Sequence, residues 1–148
     1  MILAHSDLEA MYAYLGMVLQ GVGVVVPLFA TYDAGSSDPA KVFFYDAMGA
    51  QFEATDFASS GSGGPSVRSI LHYENTWGQA PLRELDQKSA IRIALRALDT
   101  AAEADTATGG VDRAGKIFPI VKIINQAGIA SVAHDELAAL FQRDGATG

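Results

Sequence analysis

One short segment combines an acidic side chain, two hydroxyls and two glycines. It reads Asp-Thr-Ala-Thr-Gly-Gly over residues 105–110, at the end of an amphipathic run and shortly before the apolar residues 117–124. Carboxylates and hydroxyls are groups that exchange protons and hydrogen bonds in catalytic sites. An acid near a helix C-terminus is disfavoured by about 0.3–1 kcal/mol, so the position of Asp105 requires a local reason. We therefore treat Asp105 and Thr108 as candidate functional residues.

A second segment, Gly-Ser-Gly-Gly-Pro over residues 61–65, precedes another amphipathic run. Backbone N–H groups of such a turn can bind a phosphate, but no Lys-Ser/Thr pair follows, and the pattern is neither a P-loop nor a dinucleotide fingerprint. Ser62 is also placed to cap the helix that follows, which is the commonest use of serine there. Asp105 could equally be a solvated loop carboxylate, and Thr108 with Gly109 a simple helix stop. Spacing alone leaves these alternatives open.

Composition limits the class of protein. A chain of 148 residues has the size of one domain, and with 49% hydrophobic and 18% charged residues it predicts faces that pack against other subunits. The net charge is −7 and the ten Lys and Arg residues are scattered, which argues against nucleic acid or an anionic membrane as a partner. Without cysteine there is no disulfide framework and no thiolate zinc site.

Neither a membrane span nor a metal site is predicted. The longest apolar run, residues 22–30, is far shorter than the ~20 residues that a membrane helix needs. The apolar start at residues 1–4 is soon interrupted by polar residues and has no preceding basic region, unlike a signal peptide. His5, His72 and His134 have no second ligand at metal-binding spacing. We expect a soluble, cytoplasmic protein without a bound metal.

The periodicity of apolar residues predicts the elements that position these candidates. The predicted helices, with their caps, are residues 8–21, 65–73, 86–103 and 135–141. The predicted strands are residues 24–32, 42–45, 51–54, 56–59, 117–124 and 129–132.

Three details of these elements can be tested directly. Asp86 and Asp135 are predicted N-caps, and residues 74–81 are a predicted loop. The helix after Asp86 has a predicted apolar stripe of Ala90, Ile91, Ala94, Leu95 and Leu98. The order of elements predicts an α/β (α+β) fold with antiparallel sheets covered by helices rather than alternating βαβ units.

Five short motifs occur in an order and spacing typical of one family. They are Leu-Gly-Met-Val-Leu-Gln-Gly at residues 15–21, Phe-Tyr-Asp-Ala-Met-Gly at 44–49, Gly-Ser-Gly-Gly-Pro at 61–65, Ala-Asp-Thr-Ala-Thr-Gly-Gly at 104–110 and Lys-Ile-Phe-Pro at 116–119. With them the chain resembles the second half of a proteasome β subunit of the bacterial, actinobacterial type. The resemblance runs from about residue 14 to residue 141 and implies the N-terminal-nucleophile hydrolase fold, a four-layer αββα sandwich with antiparallel sheets. Residues 1–148 would be one incomplete domain of this kind.

The resemblance also implies a chemistry. In this family the nucleophile is the hydroxyl of an N-terminal threonine, freed by cleavage after a glycine, and the α-amino group of the same residue is the base. By matching to the family motifs, Ser62, Asp105 and Thr108 would orient that threonine in supporting catalytic roles. The implied activity is that of a threonine-type endopeptidase that degrades unfolded proteins within a 20S-like core particle, without a cofactor. The implied partners are α subunits and other β subunits in seven-membered rings, a ring ATPase and polypeptide substrates.

The chain departs from the family pattern in one respect, because none of its threonines follows a glycine. We therefore expect it to be the C-terminal part of a β subunit, without the nucleophile and the first strands, and inactive alone. A noncatalytic assembly subunit, or a truncated and inactive relative, is the first alternative. A phosphate-binding module built on residues 61–64 is the second.

Overall fold

The computed structural model describes residues 26–46, 48–109 and 117–141. Two units make up the chain, residues 1–58 and residues 59–148. The predicted helix over residues 8–21 and the start of the predicted first strand lie outside the described residues. The mixture of helices and antiparallel sheets is confirmed.

The first unit contains a three-stranded antiparallel sheet in the order β1-β2-β3. Its strands are Leu28–Tyr32 (β1), Ala40–Tyr45 (β2) and Gln51–Ala54 (β3). β1 begins directly after Pro27, a residue that cannot donate a ladder hydrogen bond. The predicted hairpin is confirmed, and Asp46 shapes its turn, since Asp46 Oδ1 accepts from the N–H groups of Met48 and Ala50 at 2.9 Å each.

The register divides the side chains of this sheet between two faces, and both carry aromatic residues, since Phe29 and Tyr45 are in contact on the face opposite Phe44. Leu28, Phe44 and Phe52 are aligned across the three strands, and the rings of Phe44 and Phe52 stack at 5.1 Å. The opposite face carries the ion pair of Lys41 with Glu53 (3.1 Å). No described residue of this unit is buried, so the unit has an apolar sheet face that remains accessible.

The predicted strand over residues 56–59 is wrong. This segment makes bends and irregular backbone. The Ser59 hydroxyl donates to the carbonyl oxygen of Gly64 at 2.8 Å, which ties the segment to the start of the next helix.

Two helices follow, Gly64–Trp77 (α1) and Gln87–Ala104 (α2). α1 is longer than predicted, because residues 74–77 contain no helix breaker before Gly78, and the predicted loop over residues 74–81 is shortened accordingly. A short 3₁₀ helix, Leu82–Glu84, occupies part of the connection.

Asp86 is the N-cap of α2, as predicted. Its Oδ1 atom accepts from the backbone N–H groups of Lys88 (2.9 Å) and Ser89 (3.1 Å). Its Oδ2 atom accepts from the Ser89 hydroxyl at 2.7 Å. These bonds satisfy helix N–H groups that have no partner within the helix.

α2 buries a wider surface than the predicted stripe, because it packs against both α1 and the last helix, α3 (His134–Phe141). Ile91 and Leu95 are buried as expected, but Ala90 and Ala94 are exposed. The buried residues of α2 are Ile91, Ile93, Leu95, Ala97 and Ala101.

A two-stranded antiparallel sheet lies between α2 and α3 in sequence, with strands Lys122–Asn125 (β4) and Gly128–Ser131 (β5). The predicted strand over residues 117–124 is too long, since the ladder begins only after Pro119. Asp135 lies in the first turn of α3 instead of capping it.

The core of the second unit joins α2 to α3. Its buried members are Ile91, Leu95, Leu137 and Leu140, and Phe118 and Phe141 pack against them. Among the residues that the structure describes, no helix has both the length and the apolar character needed to cross a membrane.

Candidate functional site

Ser62, Asp105 and Thr108 come together in the second unit. The Ser62 hydroxyl donates to Asp105 Oδ2 at 2.5 Å, and the Thr108 hydroxyl donates to the same oxygen at 2.5 Å. Ser62 is exposed, whereas Asp105 and Thr108 are half-buried. The three side chains selected from the sequence therefore form one cluster that is open to solvent.

A tight turn before α1 presents Ser62. The N–H of Gly64 donates to the carbonyl oxygen of Gly61 at 3.0 Å, and Gly61 has a φ of +93°, a conformation that favours glycine. The N-cap of α1 is Gly63, and no side chain caps this helix. The alternative in which Ser62 serves as a helix cap is therefore wrong, and its hydroxyl is committed to Asp105 instead.

The end of α2 positions the other two side chains. Asp105 is the C-cap of this helix, and its N–H donates to the carbonyl oxygen of Ala101 at 3.0 Å. The N–H of Thr108 then donates to the carbonyl oxygen of Asp105 at 3.0 Å. Asp105 Oδ1 accepts from the N–H of Ala107 at 3.2 Å, so both carboxylate oxygens have partners. Asp105 is thus not merely a solvated loop residue, and the helix ends before Thr108.

The direction of these hydrogen bonds determines what the cluster can bind. A hydroxyl has one proton and two acceptor lone pairs, and each hydroxyl here gives its proton to Asp105. The exposed side of the cluster therefore consists of acceptors beside a negative charge. Such a group of acceptors matches an N–H donor, above all a primary amine or ammonium.

The same hydrogen bonds change the electrostatics of Asp105. The Ser62 hydroxyl, and to a smaller extent the Thr108 hydroxyl, hold the pKa of Asp105 below its ordinary value of 3.8. Partial desolvation opposes them, and the Ala107 N–H adds to them. Asp105 is consequently ionised at neutral pH.

We predict that the contribution of Asp105 to stability is complete above its ordinary pKa of 3.8 and is lost as the pH falls below that value. A carboxyl with a lowered folded pKa stabilises the fold above its unfolded pKa, and this stabilisation disappears as the pH falls through the lowered folded value.

In a ¹³C carboxyl titration of the chain, Ser62→Ala is expected to raise the pKa of Asp105 more than Thr108→Ala does, following the order of the two causes.

Asp86 is the internal control for this titration. The Ser89 hydroxyl lowers its pKa, and neither Ser62 nor Thr108 contributes. Both variants should leave the pKa of Asp86 unchanged. An unchanged pKa of Asp105 in both variants would contradict the hydrogen bonding described above.

Two observations oppose the alternative of a phosphate-binding module at the Gly-rich turn. The Asp105 carboxylate beside Ser62 places a negative charge at the Gly-rich turn, which opposes the binding of an anion. The N–H of Gly64, a potential phosphate ligand, already donates within the turn. In the described parts of the chain, no group of three or more acidic or histidine side chains could hold a metal ion.

The chain belongs to the proteasome subunit family, whose model matches residues 9–117. A proteasome subunit beta from Acidothermus cellulolyticus is 34% identical over 134 residues, which cover 88% of this chain and 44% of the relative. Proteasome subunit beta from Jonesia denitrificans is 37% identical over 126 residues (85% of this chain, 39% of the relative). Proteasome subunit beta 1 from Streptomyces avermitilis is 36% identical over 124 residues (82% and 41%).

Each of these three alignments covers most of this chain. The chain, in turn, spans less than half the length of each of the three relatives. The mixture of helices and antiparallel sheets is consistent with the N-terminal-nucleophile hydrolase fold of the family. The sequence motifs pointed to the three polar side chains but not to Ser59. The Ser59 hydroxyl stabilises the turn that bears Ser62, because it donates to the carbonyl oxygen of Gly64. The only signal for Ser59 is its place in a serine-rich segment before the glycines.

Proposed function

We propose that this chain is the C-terminal part of a proteasome β subunit, in which Ser62, Asp105 and Thr108 hold the α-amino group of an N-terminal threonine. The observation that carries the proposal is that both hydroxyls donate to the same Asp105 oxygen and leave their lone pairs for an incoming amine. Membership of the proteasome subunit family supports it independently.

The proposed chemistry uses the cluster to orient a base. The neutral amine donates N–H bonds to the hydroxyl oxygens, so that its lone pair faces the threonine hydroxyl. As that hydroxyl attacks a peptide carbonyl carbon, its proton moves to the amine, and the Asp105 charge stabilises the resulting ammonium. The ammonium then gives the proton to the departing amine of the cleaved peptide bond, and water hydrolyses the ester that remains on the threonine.

For the complete protein, we propose a threonine-type endopeptidase that degrades unfolded polypeptides inside a ring-shaped particle in the cytoplasm. The proposed partners are other β subunits, α subunits and a ring ATPase. Residues 1–148 would form one incomplete domain that lacks the first strands of the fold and its nucleophile. Membership of the proteasome subunit family supports the assignment to a ring-shaped proteasome particle.

Sequencing the mature N-terminus of the natural gene product tests the proposal. We expect a threonine released after a glycine, followed by a strand pattern, and hydrolysis of a fluorogenic peptide by the assembled particle. A noncatalytic assembly subunit is the second candidate, because none of the threonines in this chain follows a glycine. A natural product without a Gly-Thr junction would support that candidate and overturn the peptidase.

A further inference from the structure

Two glycines on either side of Ser62 differ in why the fold needs them. Gly61 has a φ of +93°, and a Cβ placed on it would meet nothing within 4 Å, so this position needs the conformational freedom of glycine. Gly63 has a φ of −76° and a ψ of −3°, which any residue can adopt. The backbone conformation therefore does not explain a glycine at position 63.

The surroundings of Gly63 do explain it. A Cβ placed on Gly63 would overlap Thr108 Oγ1 and would lie 3.3 Å from the Cβ and Cγ2 atoms of Thr108. Gly63 is buried, so an added methyl group could not turn out into solvent. At the next residue, Gly64, an added Cβ would make only ordinary contacts, the closest at 3.7 Å to Ser59.

We infer that Gly63 is a positioning residue of the cluster, because the absence of a side chain there lets the Thr108 hydroxyl reach Asp105 beside the Ser62 hydroxyl. The space that a Cβ would fill is the space of the hydroxyl that completes the acceptor group. The role of Gly63 in catalysis rests on the proposed function, whereas its effect on the geometry of the cluster does not.

A purely structural role for Gly63 predicts a different result. Gly63 is the N-cap of α1, and alanine is a poorer N-cap than glycine. Loss of the cap would lower the stability of the helix but would leave both hydrogen bonds to Asp105 in place. The pKa of Asp105 therefore separates the positioning role from the capping role.

The experiment is a ¹³C carboxyl titration of the 148-residue chain and four variants. Gly63→Ala is expected to raise the pKa of Asp105 as far as Thr108→Ala does, because it displaces the same hydroxyl. Gly64→Ala is the matched control and should leave that pKa unchanged. The double variant Gly63→Ala/Thr108→Ala should give the pKa of Thr108→Ala alone, since the displaced hydroxyl is already absent.

Two outcomes would overturn the inference. One is an unchanged pKa of Asp105 in Gly63→Ala, and the other is a Gly63→Ala effect that persists in full when Thr108 is already alanine. If Gly63→Ala alone fails to fold, the circular dichroism of the double variant shows whether the overlap with Thr108 is the cause. Recovery of helix there is expected, because removing the Thr108 hydroxyl and methyl relieves the overlap, and a double variant that stays unfolded would refute the positioning role.

Titration with threoninamide keeps this inference separate from the proposed function. The unmodified chain is expected to bind threoninamide at the cluster, seen as a shift of the Asp105 carboxyl signal, and Gly63→Ala is expected to weaken the binding. If the unmodified chain does not bind the probe while Gly63→Ala still changes the pKa of Asp105, the proposed function fails and the positioning role stands. If binding occurs but Gly63→Ala leaves both binding and pKa unchanged, only the positioning role fails.

Discussion

Asp105→Asn is expected to lower kcat for peptide hydrolysis about 10²–10⁴-fold in a β subunit in which residues 1–148 follow a threonine-bearing N-terminal half. The amide keeps the size of the side chain but removes its charge, and its single oxygen cannot accept both from the two hydroxyls and from the Ala107 N–H, as the two carboxylate oxygens do. Without that charge, the hydroxyls no longer present their lone pairs together, and the ammonium formed during attack loses its counter-charge. Initial rates with a fluorogenic peptide, measured on the assembled particle, give kcat and KM separately.

Asp86→Asn is the matched control for this experiment. Like Asp105, Asp86 accepts hydrogen bonds from backbone N–H groups and a hydroxyl, but it is exposed and lies at the opposite end of α2. Asn is as good an N-cap as Asp, so the helix should persist and kcat should stay within about threefold of the unchanged protein. Equal kcat values for Asp105→Asn and Asp86→Asn would refute a role for Asp105 in orienting the base.

Leu95→Ala is expected to lower the free energy of unfolding by about 2–5 kcal/mol. Leu95 is fully buried and lies in the cluster that joins α2 to α3. Shortening it removes buried methyl groups and leaves a cavity that Ile91, Leu137 and Leu140 can fill only in part. Urea denaturation followed by circular dichroism measures the change.

Ile120→Ala is the control for this prediction, because Ile120 is 85% exposed in the same unit. Its removal should change the free energy of unfolding by no more than about 0.5 kcal/mol. A Leu95→Ala effect as small as that of Ile120→Ala would show that the packing of α2 on α3 does not limit stability.

Local patterns predicted the elements whose ends carry strong signals. The β2–β3 hairpin follows from residues 42–45 and 51–54 on either side of a short turn that ends in Gly49, and the start of α2 follows from Asp86. The failures occurred where a tertiary contact overrides the local pattern. Ser59 bonds to Gly64 instead of joining a ladder, and α2 buries residues on two sides because two helices pack against it.

The site shows the same division between local and long-range information. Family motifs selected Ser62, Asp105 and Thr108, but no periodicity indicates that two hydroxyls donate to a single carboxylate oxygen. Spacing also could not decide whether Ser62 capped a helix, since a serine before a helix fits that use equally well. The requirement for glycine at position 63 likewise depends on Thr108, which is distant in sequence.

Ser62 precedes α1 and Asp105 follows α2, so a bond between residues 43 apart in sequence closes the helical pair. Closing a loop of this length costs conformational entropy, and the docking of the two helices offsets that cost. We therefore expect the acceptor group to form late, after the helices have paired. In the proposed peptidase, the cluster would therefore be unable to orient an amine before the two helices have docked. Folding of this part of the chain would precede any cleavage of peptide bonds.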